Sequence, residues 1–190
     1  MNADTRPPRL FMAVEISEPC RESLARFIGG IDKYGTSVKW VPAENLHVTL
    51  KFLGESAVDT GGIINALKTV RQEKFQAELR GLGCFPNLKH PKIIFAAVGE
   101  GASQLKTLAS AVEDALEPLG FAKEERGFHP HITIGRVKCP GKTASKIAEK
   151  MIGQEGVIFG KFSVDRFCVM KSDLRPRGPV YTKIAELQLF

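Results

Sequence analysis

The feature that most constrains this chain is a four-residue pattern that occurs twice: a histidine, an apolar residue, a threonine and a second apolar residue. The first copy is HVTL at 47–50 and the second is HITI at 131–134. The chain has only four histidines, and two of them begin this pattern. Chance would produce such a match on the order of 1% of the time. We therefore interpret the two copies as a functional signal.

The spacing inside each copy predicts which side chains act together. In a β-strand, residues i and i+2 project from the same face. His47 and Thr49 would therefore point together, and so would His131 and Thr133, while the apolar residues between them pack on the other side. Two such strands across a cleft offer two imidazoles to one bound group. The pattern predicts an acid–base pair.

These residue types fit phosphoryl chemistry. The unperturbed pKa of imidazole, about 6.5, lets it accept or donate a proton near neutrality. In-line displacement at phosphorus needs one group to deprotonate the attacking hydroxyl and another, on the far side, to protonate the departing oxygen. Threonine hydroxyls can donate to the non-bridging oxygens, whose charge grows in the transition state. This arrangement requires no metal ion or other cofactor.

The predicted elements are doubled in the same way as the pattern. A strand at 9–16 and a helix precede the first copy, and a strand at 92–98 and a helix at 103–119 precede the second. A further short helix is predicted at 143–151. Strands alternating with helices indicate an α/β or α+β class, and a repeated strand–helix–strand unit predicts two pseudo-symmetric lobes. We expect residues 1–190 to form a single bilobal domain.

Composition narrows the function classes. Hydrophobic residues make up 43% of the chain, enough for a core, which excludes intrinsic disorder as the main state. No apolar run approaches the roughly 20 residues of a membrane span. The net charge of +6 modestly favours a polyanionic partner such as RNA. The four cysteines lie far apart, without metal or redox spacing. We expect a cytoplasmic monomer with free thiols and no membrane association.

Two rival interpretations stay open. His129 and His131 form an H-x-H pair that could begin a zinc site. No third ligand with suitable spacing stands nearby, so His129 is interpreted as a rim residue. The second rival is a non-catalytic RNA or nucleotide binding module of the same fold, which the intact histidines and threonines of both copies argue against.

Longer segments around the two copies carry a resemblance to a known family. VPAENLHVTLKFLG at 41–54 and RGFHPHITIGR at 126–136 resemble the paired H-x-T-x motifs of the two-histidine (2H) phosphoesterase superfamily. Within it they are most similar to the RNA 2',3'-cyclic phosphodiesterase family, also called 2'-5' RNA ligase. RLFMAV at 9–14 and the segment 170–181 resemble the ends of that family. The resemblance spans nearly the whole chain.

The resemblance implies an α/β (α+β) bilobal fold in which two antiparallel sheets flank a central cleft and helices lie outside. It implies hydrolysis of RNA 2',3'-cyclic phosphate ends, or of cyclic nucleotides, to 2'-phosphomonoesters, with 2'-5' ligation as the reverse reaction. In the family's assignment His47 is the general acid and His131 the general base. Thr49 and Thr133 donate to the phosphate, and Arg136 is a phosphate ligand.

Strand alternation raises a question about two basic residues. It puts Arg136 on the face opposite His131, so a phosphate role requires that the strand end or bulge at Gly135. It puts Lys51 on the face of His47, either lining the cleft or solvated at the strand end.

The roles of other residues stay open. Arg126 could reach phosphate or brace its loop, and Phe11 or Phe128 could stack on a base or belong to the core. A basic cluster could track an RNA backbone or be a solvated loop. It consists of Lys171, Arg175 and Arg177.

Overall fold

Strands and helices alternate along the chain, as a computed structural model describes it for residues 7–31, 38–138, 156–176 and 178–190. The helix predicted at 143–151 and Arg177 lie outside these residues. The helices are α1 (Glu18–Ile31), α2 (Thr60–Leu67) and α3 (Ala102–Leu116). The strands are β1 (Arg9–Glu15), β2 (Val38–Trp40), β3 (His47–Glu55), β4 (Phe75–Phe85), β5 (Ile93–Val98), β6 (His131–Val137), β7 (Ile158–Val164), β8 (Arg166–Arg175) and β9 (Gly178–Gln188).

The doubled order is present in the structure. The elements β1, α1 and β3 carry the first histidine motif, and β5, α3 and β6 carry the second. The helix predicted at 103–119 is confirmed as α3 followed by a 3-10 turn at Glu117–Leu119. The second motif strand, β6, begins at His131. Pro130 precedes it and has no N–H to donate to a ladder, so pairing starts after it.

All strand pairs of the sheet are antiparallel. The order is β7-β4-β5-β6-β3-β1-β8-β9, and the short β2 pairs with β6 beside β3. Each motif strand thus lies at the inner edge of a four-stranded half, and the two halves join where β6 meets β3. The predicted α+β class is confirmed. The sheet continues through both halves of the described residues, and a single domain over 1–190 stays a prediction.

Helices cover one face of the sheet and form the core there. Helix α1 packs against β7 and α3 packs against β3, so each helix follows a strand of one half and covers the other half. Val48 and Ile132 belong to this core together with the apolar stripe of α3. Because a one-residue slip would turn the histidines into the core, burial of this face fixes the register of the motif strands. All described helices are too short or too polar to cross a membrane.

Candidate active site

The two motif strands meet at one residue pair. Val48 of β3 is opposite Ile132 of β6 in antiparallel register, and both side chains are fully buried. Residues opposite each other in an antiparallel ladder share a face. The histidine and threonine of both motifs therefore project together from the other face of the sheet. An approximate two-fold axis through this pair puts each histidine beside the threonine of the other strand.

A backbone carbonyl and a hydroxyl fix the tautomer and orientation of His47. Its Nδ1 donates to the carbonyl of Asn45 at 2.7 Å. Its Nε2 lies 3.0 Å from Oγ1 of Thr49, whose hydroxyl donates to it when the imidazole is neutral. Asn45 belongs to a 3-10 turn that is braced from α1, since Arg21 donates to the carbonyl of Ala43 at 2.7 Å. The ring is held on rigid backbone with Nε2 toward the site.

His131 is oriented by the same device. Its Nδ1 donates to the carbonyl of His129 at 2.6 Å. Within the described part of the chain, Nε2 of His131 has no hydrogen-bond partner. Both catalytic candidates thus carry the proton on Nδ1 and present Nε2, the atom that would exchange a proton with a substrate.

Aromatic side chains bury His47. Its ring centroid lies 5.0 Å from that of Phe11 and 5.4 Å from that of Tyr181. This burial lowers the pKa of His47 to about 4, against the opposing effect of the hydrogen bond to Asn45. The nearby charge of Arg136 lowers the pKa further. The lowered pKa favours the neutral imidazole of His47 at pH 7.

His131 lies between two other aromatic rings. Its ring centroid is 5.2 Å from those of both Phe85 and Phe95. Burial again lowers the pKa of the imidazole, opposed by the hydrogen bond to His129, and the charges of His129 and Arg136 add to the lowering. A neutral His131 with an open Nε2 can act as a base at neutral pH.

A bulge in β6 resolves the question of Arg136. Ile94 pairs with Gly135 and Phe95 pairs with Thr133, which leaves Ile134 as the extra residue. Ile134 and Gly135 are both buried, so the alternation slips by one residue. Arg136 is exposed and returns to the face of the histidines. The site thus has a guanidinium whose charge acts on both imidazoles.

The equivalent bulge in β3 makes both expectations for Lys51 wrong. Met12 pairs with Lys51 and Ala13 pairs with Thr49, so Leu50 is the extra residue. Lys51 is only 4% exposed and lies on the core face. Its Nζ donates to the carbonyl of Ala122 at 2.7 Å and pairs with Glu113 at 3.0 Å. Lys51 ties β3 to α3 and neither lines the cleft nor reaches solvent.

Other residues that the sequence analysis named lie at the rim or beneath the floor of the candidate active site. His129 is exposed, and its Nδ1 donates to the carbonyl of Gly127 at 2.7 Å. Phe128 packs against the core, and Arg126 is exposed. Phe11, at 2% exposure, is floor beneath the site and too buried to offer a ring face to a base.

The basic cluster is described only in part. Lys171 pairs with Asp173 at 3.0 Å, and Arg175 is exposed near the end of β8. A role of this cluster in RNA binding stays a prediction.

The described residues contain one group of three metal-ligating side chains, and it lies outside the histidine pair. The ligand atoms of Glu15, Cys168 and Glu186 lie within 4.8 Å of one another. Nζ of Lys183 is 2.6 Å from Glu15 and 3.2 Å from Glu186, so an ammonium compensates the carboxylates. Burial raises the pKa of the Cys168 thiol to about 12, which keeps it protonated and a poor ligand.

Two residues of the site carry no signal in their local sequence. Tyr181 reaches His47 from β9, a strand far along the chain, and no spacing rule connects the two. Lys39 of β2 is directly opposite Arg136 of β6. Neither Lys39 nor Arg136 has an ion-pair partner among the described residues. Two like charges opposite each other favour the binding of an anion between them. Only the strand pairing brings these residues to the histidines.

Comparisons with known proteins agree with this architecture. A family model described as the 2'-5' RNA ligase superfamily matches residues 7–176. A protein of Aeropyrum pernix named RNA 2',3'-cyclic phosphodiesterase is 35% identical over 167 residues, which cover 87% of this chain and 94% of that protein. One of the same name from Methanothermobacter thermautotrophicus is 32% identical over 186 residues, covering 95% and 98%.

Solved structures have the same fold. The protein TT0787 of Thermus thermophilus is 31% identical with a TM-score of 0.78, covering 95% of this chain and 97% of that one. Escherichia coli LigT complexed with 3'-AMP is 24% identical with a TM-score of 0.74, covering 96% and 98%, a likeness of fold alone. The curled antiparallel sheet with few helices is common to them.

Proposed function

The chain belongs to the 2'-5' RNA ligase superfamily, and from this premise we propose that it is an RNA 2',3'-cyclic phosphodiesterase. Relatives of that name match it at 32% to 35% identity over most of both chains. The observation that carries the proposal is the pairing of Val48 with Ile132, which turns both histidines and both threonines to one face. Such a face can hold a phosphate between two imidazoles.

In the proposed reaction the two imidazoles have opposite duties. His131 accepts the proton of a water molecule through Nε2 as the water oxygen forms a bond to phosphorus. The bond from phosphorus to O3' breaks, and protonated His47 donates its proton to O3'. The product is a 2'-phosphomonoester with a free 3'-hydroxyl. Proton exchange with solvent restores the starting protonation of the pair.

The remaining polar groups stabilise charge. The hydroxyls of Thr49 and Thr133 donate to the non-bridging phosphate oxygens as their charge grows. Arg136 compensates the net negative charge, and its fork suits two oxygens at once. A 5'-hydroxyl in the place of water would give a 2'-5' phosphodiester, which is the ligase activity proposed as the reverse of cleavage.

The acid role of His47 depends on the bound phosphate. Burial lowers the pKa of His47 to about 4, so a nearby counter-charge is needed to favour the imidazolium at neutral pH. The phosphate supplies that charge and also offsets Arg136. Substrate binding therefore prepares the acid, while His131 stays available as the base.

The test is hydrolysis of 2',3'-cyclic AMP and of an oligonucleotide ending in a 2',3'-cyclic phosphate, both with excess EDTA. We expect turnover of both and a product that phosphorus NMR identifies as the 2'-phosphate. A 3'-phosphate product would refute the position of His47 beside O3'. Loss of activity on chelation would favour a metal mechanism. Binding without turnover would favour a non-catalytic nucleotide or RNA binding module.

Location and assembly are part of the same proposal. We infer a cytoplasmic enzyme that acts as a monomer. Cys20, Cys84 and Cys168 are free thiols, as a reducing compartment would keep them. Cell fractionation tests the location, and light scattering coupled to size-exclusion chromatography tests the monomer.

A further inference from the structure

Lys39 is a cation of the site that the proposed reaction does not use. It is directly opposite Arg136 in the pairing of β2 with β6. Val38, the residue before it, is buried in the core, so strand alternation turns Lys39 to the face of the histidines. Lys39 is exposed on that face. Two like charges are thus held side by side on neighbouring strands, with their Cβ atoms about 5 Å apart.

The start of β9 lies beside the ammonium of Lys39. A Cβ at Gly178, the first residue of β9, would be 3.7 Å from Nζ of Lys39. This part of β9 is held in place, because the side-chain amide of Asn45 donates to the carbonyl of Pro179 at 3.1 Å. The carbonyl of Asn45 also orients the ring of His47. The ammonium therefore lies next to backbone that is tied to the turn before the first motif.

The positive charges on this face exceed the charge of a cyclic phosphate. A 2',3'-cyclic phosphate is a diester with one negative charge, which Arg136 compensates. Lys39 adds a second positive charge, and no carboxylate of the described residues forms an ion pair with it. In RNA, the next negative charge along the strand is the phosphodiester that precedes the terminal nucleotide. That phosphodiester can supply the second anion.

We propose that Lys39 binds the phosphodiester that joins the cyclic-phosphate nucleotide to the nucleotide before it. The inference rests on the proposed function and adds to it a preference for RNA ends over cyclic mononucleotides. An ammonium is a point charge on a flexible stem and can follow a phosphate that moves, whereas the fork of Arg136 fits one phosphate in a fixed geometry. The preceding nucleotide then lies toward the start of β9, where the exposed Arg175 is directly opposite Gly178.

The experiment compares substrates that differ in a single phosphodiester. They are 2',3'-cyclic AMP, the dinucleotide ApA with a terminal 2',3'-cyclic phosphate, and the same dinucleotide with an uncharged methylphosphonate linkage. The measured quantity is the selectivity ratio, which is kcat/KM for a dinucleotide divided by kcat/KM for 2',3'-cyclic AMP. We expect Lys39→Ala to lower the selectivity ratio about fivefold for the phosphodiester dinucleotide. The ratio for the methylphosphonate dinucleotide should not change, since it has no charge for Lys39 to bind.

Further variants separate the charge of Lys39 from its size and position. Lys39→Arg keeps the positive charge and should keep the selectivity ratio, whereas Lys39→Gln removes the charge and should behave like Lys39→Ala. The matched control is Lys106→Ala, because Lys106 is exposed on α3, which covers the other face of the sheet. This control should leave the ratio unchanged. Salt should weaken binding of the phosphodiester dinucleotide less in Lys39→Ala, which makes one phosphate contact fewer.

Three results would overturn the proposal. If Lys39→Ala left all rates unchanged, Lys39 would not contact the substrate. If all three substrates lost kcat/KM equally, the ammonium would act on the cyclic phosphate or on the structure of the site. If the selectivity ratio fell equally for both dinucleotides, Lys39 would recognise the ribose or the base and not the charge.

A binding measurement separates this proposal from the proposed function. If the unmodified protein turns over none of the three substrates, the proposed function fails, and calorimetric titration still tests Lys39. The ligands are adenosine 2'-phosphate and ApA with a terminal 2'-phosphate. Lys39→Ala should raise Kd for the dinucleotide about fivefold more than Kd for the mononucleotide. An equal effect on the two ligands, or no binding of the dinucleotide by the unmodified protein, would contradict the proposal.

Discussion

The two motif strands have the same backbone and different surroundings. Both bulge directly after the threonine, and both hold the histidine Nδ1 by the carbonyl two residues earlier. Phe11 and Tyr181 enclose His47, whereas His131 lies between Phe85 and Phe95 with an open Nε2. In the proposed mechanism the repeated backbone positions the phosphate, and the different side chains around each histidine distinguish the acid from the base.

The bulges illustrate how equivalent positions diverge. In β6 the second bulge residue is Gly135, since a Cβ there would lie 2.7 Å from Val38 and 2.8 Å from Trp40. In β3 the same position is Lys51, whose ammonium is paired with Glu113. One position is closed by neighbouring side chains and the other anchors a helix. Neither difference disturbs the histidine face.

The largest expected effect on the rate comes from removing either of the two motif histidines. His47→Ala and His131→Ala should each lower kcat about 10² to 10⁴-fold, because each removes one proton-transfer partner. Since the two act as a unit, the double variant should lose much less than the product of the single losses. Initial rates on 2',3'-cyclic AMP measure this. His90→Ala, an exposed loop histidine, is the control and should stay near the unmodified rate.

A second prediction concerns the buried lysine at the β3 bulge. Glu113→Gln leaves the Lys51 ammonium buried without its counter-charge, so the free energy of unfolding should fall by about 3 kcal/mol. Urea denaturation measures the loss. The matched control is Glu117→Gln, whose pair with Lys123 is exposed and screened by solvent, so this variant should lose much less stability. Equal losses in the two variants would mean that Lys51 does not anchor α3.

Replacing either motif threonine should slow the reaction less than replacing a motif histidine. Thr49→Val and Thr133→Val should each lower kcat about 10 to 10³-fold, by analogy with removing one oxyanion donor. Thr49 also contacts Nε2 of His47, so its loss should change the pH profile as well as the rate. Thr49→Ser keeps the hydroxyl and should restore both. If Thr49→Val and Thr49→Ser were equally slow, the methyl group and not the hydroxyl would be the important part.

The smallest effect is on the position of the pH profile. Burial lowers the pKa of both histidines, so both limbs of kcat/KM, which reports the free enzyme, should fall below pH 6.5. The fitted values belong to the coupled pair. A bound phosphate favours the imidazolium, so the limbs of kcat should lie at higher pH. Tyr181→Ser exposes His47 to water, so the limbs of the kcat/KM profile should move to higher pH. If the pH profiles of kcat and kcat/KM coincided, the proposal that bound phosphate raises the pKa of His47 would be contradicted.

The fold class and the motif residues can be predicted from the sequence because both depend on local pattern. Alternation in a strand brings His47 and Thr49 together, and helix periodicity marks α3. The bulges cannot be predicted in this way, because an extra residue is defined by the pairing with the partner strand and not by the sequence of its own strand. Strand alternation without the bulge therefore predicts the wrong face for Lys51. Tyr181 depends on long-range strand pairing, which no spacing encodes.

The assignment of acid and base is the central claim, and replacing the leaving atom tests it most directly. In a 2',3'-cyclic nucleotide with sulfur in place of O3', the departing thiolate needs little protonation, since thiols have a pKa of about 8.5. We expect His47→Ala to recover most of its lost rate on this substrate, to within about tenfold of the unmodified enzyme, while His131→Ala stays as slow as before. Recovery of His131→Ala, with His47→Ala unchanged, would contradict the account.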